Sequence, residues 1–191
     1  HDSNIVIGIP SEGLFSFRGN GESLSPFWNT DRLENIQSGL CLLTRNNVFL
    51  SKNHRGIEYR YFSQNQKSIP IPTSDELESL NMFYYIGNGS LLILTNKNAY
   101  IKDLNTSEIT RMKIEEFSKS DFMTLSLFDG KSELWLMKNK NTLCKYKIEG
   151  ERMRLLSSFS VENSNSLWKG HDGGIYLLQD NGILHINSNN T

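Results

Sequence analysis

Asp129-Gly-Lys-Ser-Glu-Leu-Trp-Leu-Met-Lys-Asn-Lys-Asn-Thr-Leu-Cys-Lys-Tyr-Lys-Ile-Glu149 is the stretch whose reading decides the fold. An Asp-Gly turn signal opens it, an apolar run follows from Leu134 to Met137, and Asn139-Lys140-Asn141 turns the chain. The return segment alternates Lys145 and Lys147, expected outward, with Cys144, Tyr146 and Ile148, expected inward. A continuous apolar run joined by a polar turn to a period-two segment describes a β-hairpin, one strand buried and one with a wet face.

The hairpin recurs. Copies run from Gly173 to Ile186, from Gly89 through Thr95 to Tyr100-Ile101, and from Gly39 through Thr44 to Val48-Phe49-Leu50, with a looser one joining Ile5–Ile9 to Gly13–Phe17. Their first apolar residues, Ile5, Leu40, Leu91, Leu134 and Ile175, are spaced by about 35, 51, 43 and 41 residues, close to the length of a propeller blade. The expected fold is therefore all-β: a β-propeller of four-stranded antiparallel blades with about five hairpin repeats. In such a stack each sheet buries both faces, so inner strands read as unbroken apolar runs while the outermost alternates, as Leu91–Leu94 and Ile109–Ile114 do here.

The chain reads as one propeller domain or partial propeller over 1–191, with units at about 1–29, 33–63, 80–114, 122–160 and 165–187. The innermost strands are expected at Leu33–Gln37, Leu80–Ile86, Phe122–Phe128 and Ser166–Lys169, and a fourth strand of the second unit through Tyr59–Phe62. Glu22–Trp28 reads as a short tail. Ser63–Ser79, with Pro70 and Pro72, reads as a long loop holding at most one helical turn capped near Ser74. The first unit lacks an inner strand and the last an outer one, which leaves two accounts open: a ring that closes within the chain, or a part of a larger ring.

Net charge is −1, from 20 basic and 21 acidic side chains. That balance supplies no electrostatic footprint for nucleic acid or an anionic membrane, and no apolar run reaches the length of a membrane span. Cys41 and Cys144 fall inside separate expected strands and read as buried thiols. No CxxC, GxSxG, Walker loop or GxGxxG occurs, so no cofactor is expected. His171, His185 and His54 lack a metal-like spacing.

The phrases Asp129-Gly130 followed by Leu134-Trp135-Leu136, and Asp172-Gly173-Gly174-Ile175-Tyr176 followed by Gly182-Ile183, resemble the repeat of two-component regulator propellers. Thr95 and Thr44 match that repeat's threonine, and Gly182 and Gly13 its glycine after the turn, whereas Met137, Leu94, Leu43 and Leu178 stand where the family has glycine. The resemblance implies a ligand-sensing module of the extracytoplasmic half of a hybrid histidine kinase. It implies periplasmic exposure, with a cytoplasmic location as the alternative, a glycan or other small ligand, contact with other blades or domains of the same protein, and a possible signalling dimer.

A propeller glycosidase needs a pair of carboxylates in the channel. The expected inner strands carry one, Glu34, which argues against an enzyme; Asp129 and Asp172, each beside Gly, read as turn residues. Phe27, Tyr84 and Tyr85 are aromatics near loops that read as packing residues. If a ligand meets the loops that join one unit to the next, the residues expected there are Trp28, Arg32, Asp121 and Trp168. A self-contained protein-interaction or lectin-like propeller is the alternative reading.

Overall fold

The computed structural model describes 4–9, 13–18, 24–28, 41–43, 47–52, 56–61 and 67–70, with side chains only at Ile69 and Pro70, and then 78–106 and 108–187 in full. The chain forms two compact units, His1–Pro72 and Thr73–Thr191.

The first unit holds two sheets. One is β1 (Asn4–Ile9), β2 (Gly13–Arg18) and β3 (Leu24–Trp28), paired in that order. The other is β4 (Cys41–Leu43), β5 (Asn47–Lys52), β6 (Gly56–Tyr61) and β7 (Lys67–Pro70), again in chain order. Two expectations are corrected here. Glu22–Trp28 is not a tail: Leu24–Trp28 pairs with β2, and Pro26 is accommodated because β3 is an edge strand with a register shift at Leu14/Phe15. Ser63–Ser79 is not all loop: Lys67–Pro70 pairs antiparallel with β6, Pro70 standing at its last position, where a missing N–H costs least. Leu33–Gln37, Arg32, Glu34, His54 and the helical turn expected near Ser74 lie outside the described residues.

The second unit holds three sheets. The third sheet of the chain is β8 (Leu80–Gly87), β9 (Ser90–Thr95), β10 (Ala99–Asp103) and β11 (Ile109–Arg111). The fourth is β13 (Met123–Phe128), β14 (Glu133–Lys138), β15 (Thr142–Glu149) and β16 (Arg152–Ser160), with β12 (Lys113–Ile114) added parallel to β16. The fifth is β17 (Ser164–Lys169), β18 (Ile175–Gln179) and β19 (Gly182–Ile186).

The opening hairpin forms as expected, with Leu134 opposite Tyr146 and Leu136 opposite Cys144. Its turn places Asn139 and Lys140 at φ 54° and 63°, the left-handed pair that matches the twist of the flanking strands. The reason for the unbroken apolar run is visible in β14. Leu134 and Leu136 join Leu92, Leu94, Cys144 and Tyr146 in a core shared with the third sheet, while Trp135 and Met137 join Leu143, Ile175 and Leu177 in a core shared with the fifth. Each fully buried aliphatic side chain contributes about 1.5–3 kcal/mol. For the same reason Lys145 is not on a wet face. Its side chain is 12% exposed, pairs with Glu133 at 3.0 Å and lies over the Trp135 ring at 5.6 Å, because the next sheet covers that side.

Ile109–Ile114 is not one alternating strand. After Arg111 the chain leaves the third sheet, Met112 donates its N–H to Ala99 O at 2.8 Å with its side chain buried, and Lys113–Ile114 pairs with Arg152–Met153 of the fourth sheet. The strap is fastened by Glu115. Its backbone O accepts the Tyr146 hydroxyl (3.1 Å), one carboxylate oxygen accepts Leu155 N–H (2.9 Å) and the other pairs with Arg152.

Candidate ligand-binding site

Between β11 and β12 the chain crosses from one sheet to the next, and the gap it bridges is a cavity of about 440 Å³, within the range of small-molecule sites. Met112, Ile114 and Phe117 give it an apolar side. Lys97, on the turn joining β9 and β10, Arg111, ending β11, and Lys119, on the loop before β13, also line it. Glu78, Asn98 and Ser118 complete the described lining.

Glu78 is 1% exposed, two residues before β8. Its Oε1 accepts from Thr95 Oγ1 (2.6 Å), Asn98 Nδ2 (2.8 Å) and Tyr100 OH (3.1 Å), while Oε2 has no partner among the described residues. Asn98 Oδ1 in turn accepts from Arg111 Nη2. The chain Glu78–Asn98–Arg111 thus holds the guanidinium at the cavity through an amide rather than a direct ion pair. Burial, then the Glu78 charge, push the Tyr100 hydroxyl up to about 12, so it stays a proton donor.

Of the four expected site residues, Asp121 and Trp168 are described with their side chains. Asp121 stands on the loop before β13 as a fastening. Its Oδ1 accepts from Asn139 Nδ2 (2.6 Å), its Oδ2 from Ser118 N (2.7 Å) and Oγ (2.9 Å), and Lys138 lies 3.8 Å away. Burial pushes its carboxyl up, but the bonds from Ser118 and Asn139 outweigh that and hold it below the usual carboxylate range. Trp168 belongs to a ring stack across the fifth sheet: its ring lies 5.8 Å from Tyr176, whose ring lies 4.3 Å from His185. Trp28 ends β3, and its side chain is outside the described residues, as is Arg32. Among the described lining of the cavity neither Asp121 nor Trp168 appears, although Ser118 and Lys119 belong to the same loop as Asp121.

The acidic turn residues act on backbone. Asp129 Oδ1 accepts from the amides of Lys131, Ser132 and Glu133 at 2.8–2.9 Å. Asp172 accepts from Gly174 N–H (3.0 Å) and Tyr176 OH (2.9 Å), and lies 3.0 Å from His185 Nε2. Tyr84 bonds Ser126 Oγ at 2.9 Å across the inner strands β8 and β13, and burial pushes its hydroxyl up to about 12. A second cleft of about 260 Å³, lined by Trp135, Lys145 and Lys169 among others, opens between the fourth and fifth sheets, but there the Lys145–Glu133 pair neutralises itself.

Glu78 lies just before β8, outside the inner strands on which a propeller glycosidase carries its carboxylates. The usable signal was the Thr95-Asn96-Lys97-Asn98 turn, whose side chains need a buried acceptor.

No family model matches the chain, and no curated protein matches it. Solved structures do. The extracellular domain of BT4673 from B. thetaiotaomicron, described as a one component system, superposes over 98% of this chain with TM-score 0.68 and 16% identity. That of BT3049 from B. thetaiotaomicron, described as a hybrid two component system, covers 98% with TM-score 0.66 and 16% identity. The chain spans 26% of the length of each. A streptogramin B lyase superposes over 98% of this chain and 72% of its own, with TM-score 0.63 and 10% identity. The WD40 propeller domain of Doa1 gives TM-score 0.64 at 11% identity, over 100% of this chain and 62% of its own. These likenesses establish the fold: the sheets are blades of a β-propeller.

Proposed function

We propose that the chain is a non-catalytic, ligand-sensing β-propeller module of an extracytoplasmic two-component signalling protein, and that its ligand meets the Glu78–Arg111 cavity. The observation that carries this reading is the backbone likeness to two extracellular domains of signalling systems. The Asp129-Gly130 and Leu134-Trp135-Leu136 phrase supports it, as does a cavity whose walls come from two adjacent sheets. A ligand bridging Lys97 and Lys119 ties the β9–β10 turn to the loop before β13, so binding energy is spent on the relative setting of two blades, which is what a sensor transmits.

The likeness to WD40 domains favours, as second reading, a self-contained interaction propeller. The test is a thermal-shift screen of the full chain against monosaccharides, disaccharides, amino acids and small organic acids. A compound present at a hundred times its Kd stabilises by about 2.7 kcal/mol, a rise of roughly 5–10 °C at this size. A saturable rise without turnover of the compound supports sensing. A folded chain whose midpoint no compound moves contradicts it and leaves the interaction module.

A further inference from the structure

We propose that the cavity between the β9–β10 turn, the end of β11 and the loop before β13 takes a small organic carboxylate, its charge held by Arg111, Lys97 and Lys119 and its body packed against Phe117. The proposal deepens the sensing reading and rests on it for its biological sense.

Among the described residues, three cations and one carboxylate line the cavity. That carboxylate is the buried Glu78, with three neutral donors on Oε1, so the described lining keeps two positive charges in excess. Five other cations of the unit stand against carboxylates. Lys138 lies against Asp121, Lys145 against Glu133, Lys147 and Arg154 against Glu149, and Arg152 against Glu115. Among the described residues no carboxylate lies within ion-pairing distance of Lys97, Arg111 or Lys119. Like charges gathered around one concave space repel, and an anion entering it relieves that repulsion.

The identity of the ligand follows from the walls. Arg111 uses one Nη2 proton on Asn98, and a guanidinium fixed on one edge presents its remaining donors as a planar fork that matches a carboxylate. Lys97 reaches toward the next loop, Nζ lying 3.5 Å from Asp121 O, so positive charge spans the gap from the third sheet to the fourth. Half-buried Phe117 gives an apolar surface that a bare inorganic ion leaves unused. A volume of about 440 Å³ admits a molecule of one or two sugar rings.

The experiment is isothermal titration calorimetry of the full chain with D-glucuronate, D-glucose and inorganic phosphate. Glucuronate and glucose share a ring and differ in the carboxylate. The expected result is glucuronate binding at least about tenfold tighter than either comparator, weakening as salt is raised. Lys119→Gln, on an exposed loop position, is expected to weaken it several-fold with an unchanged melting midpoint, and Arg111→Gln to abolish it. Equal affinity for glucose overturns the carboxylate; equal affinity for phosphate overturns the organic body; glucuronate binding unchanged in Lys119→Gln and Arg111→Gln overturns the site. Absence of glucuronate binding also overturns the proposal. If another compound in the thermal-shift screen then stabilises the chain, the sensing reading survives; if none does, both fall.

Discussion

Glu78 and Asp121 stand at the same place in two successive repeats. Each precedes the residue that a hairpin asparagine clasps. Asn96 donates its N–H to Ser79 O and accepts Ser79 N–H on Oδ1, both at 2.9 Å; Asn139 does the same to Phe122, also at 2.9 Å. There the likeness stops. Asp121 spends both oxygens on its own loop and on Asn139, with Lys138 beside it. Glu78, one methylene longer, reaches into the third sheet, takes three donors on one oxygen and leaves the other without a partner among the described residues. The repeat sets where a carboxylate stands; side-chain length and neighbours decide whether it closes a loop or frames a cavity.

The largest effect that sharpens this contrast is expected from Glu78→Ala. It strands the Thr95, Asn98 and Tyr100 donors in a buried place, at about 1–3 kcal/mol for each one left without a substitute acceptor. The melting midpoint is expected to fall by roughly 6–12 °C, and calorimetric binding of glucuronate to weaken as Arg111 loses its anchor. Asp121→Ala is expected to cost less, about 1 kcal/mol, because Ser118 and its neighbours are exposed to water. Equal losses in the two variants would break the comparison.

Acid gives the smallest effect. The folded-state carboxyls of Asp121, Glu115, Glu149 and Asp172 are all held below their ordinary values. The causes differ in order. Backbone N–H donors lead at Glu115 and Asp172, the Arg154 side chain leads at Glu149, and at Asp121 the Ser118 and Asn139 bonds overcome burial. A depressed carboxyl contributes stability above its unfolded pKa of roughly 4 and loses it as pH falls through the folded value. Chemical denaturation is therefore expected to be level from pH 7 to about 5 and to weaken below about 4. The decline should be shallower in Asp121→Asn than in the parent chain. An identical slope would show that Asp121 binds its proton alike folded and unfolded.

The hairpins were legible because their signals are local. An Asp-Gly turn, an apolar run and a period-two return leave little freedom, and β14 pairs with β15 where they place the hairpin. What crosses between sheets was not legible. Ile109–Ile114 alternates well enough for one strand, yet its two halves pair with different sheets, a choice made by Met112 burying its side chain between them. Lys145 reads as solvent-facing until the fifth sheet covers it. Loop position singles out Asp121, which fastens the loop before β13, whereas Lys119 of the same loop lines the cavity. Periodicity reports which way a side chain points, not what another part of the chain brings against it.

The most direct test of the cavity as a ligand site is amide hydrogen exchange of the full chain with and without saturating D-glucuronate. The expected result is slowed exchange in peptides covering Lys97–Asn98, Arg111–Met112 and Phe117–Lys119, with Trp168–Gly182 of the fifth sheet unchanged. Protection confined to Trp168–Gly182, or none at the three cavity segments, would contradict it.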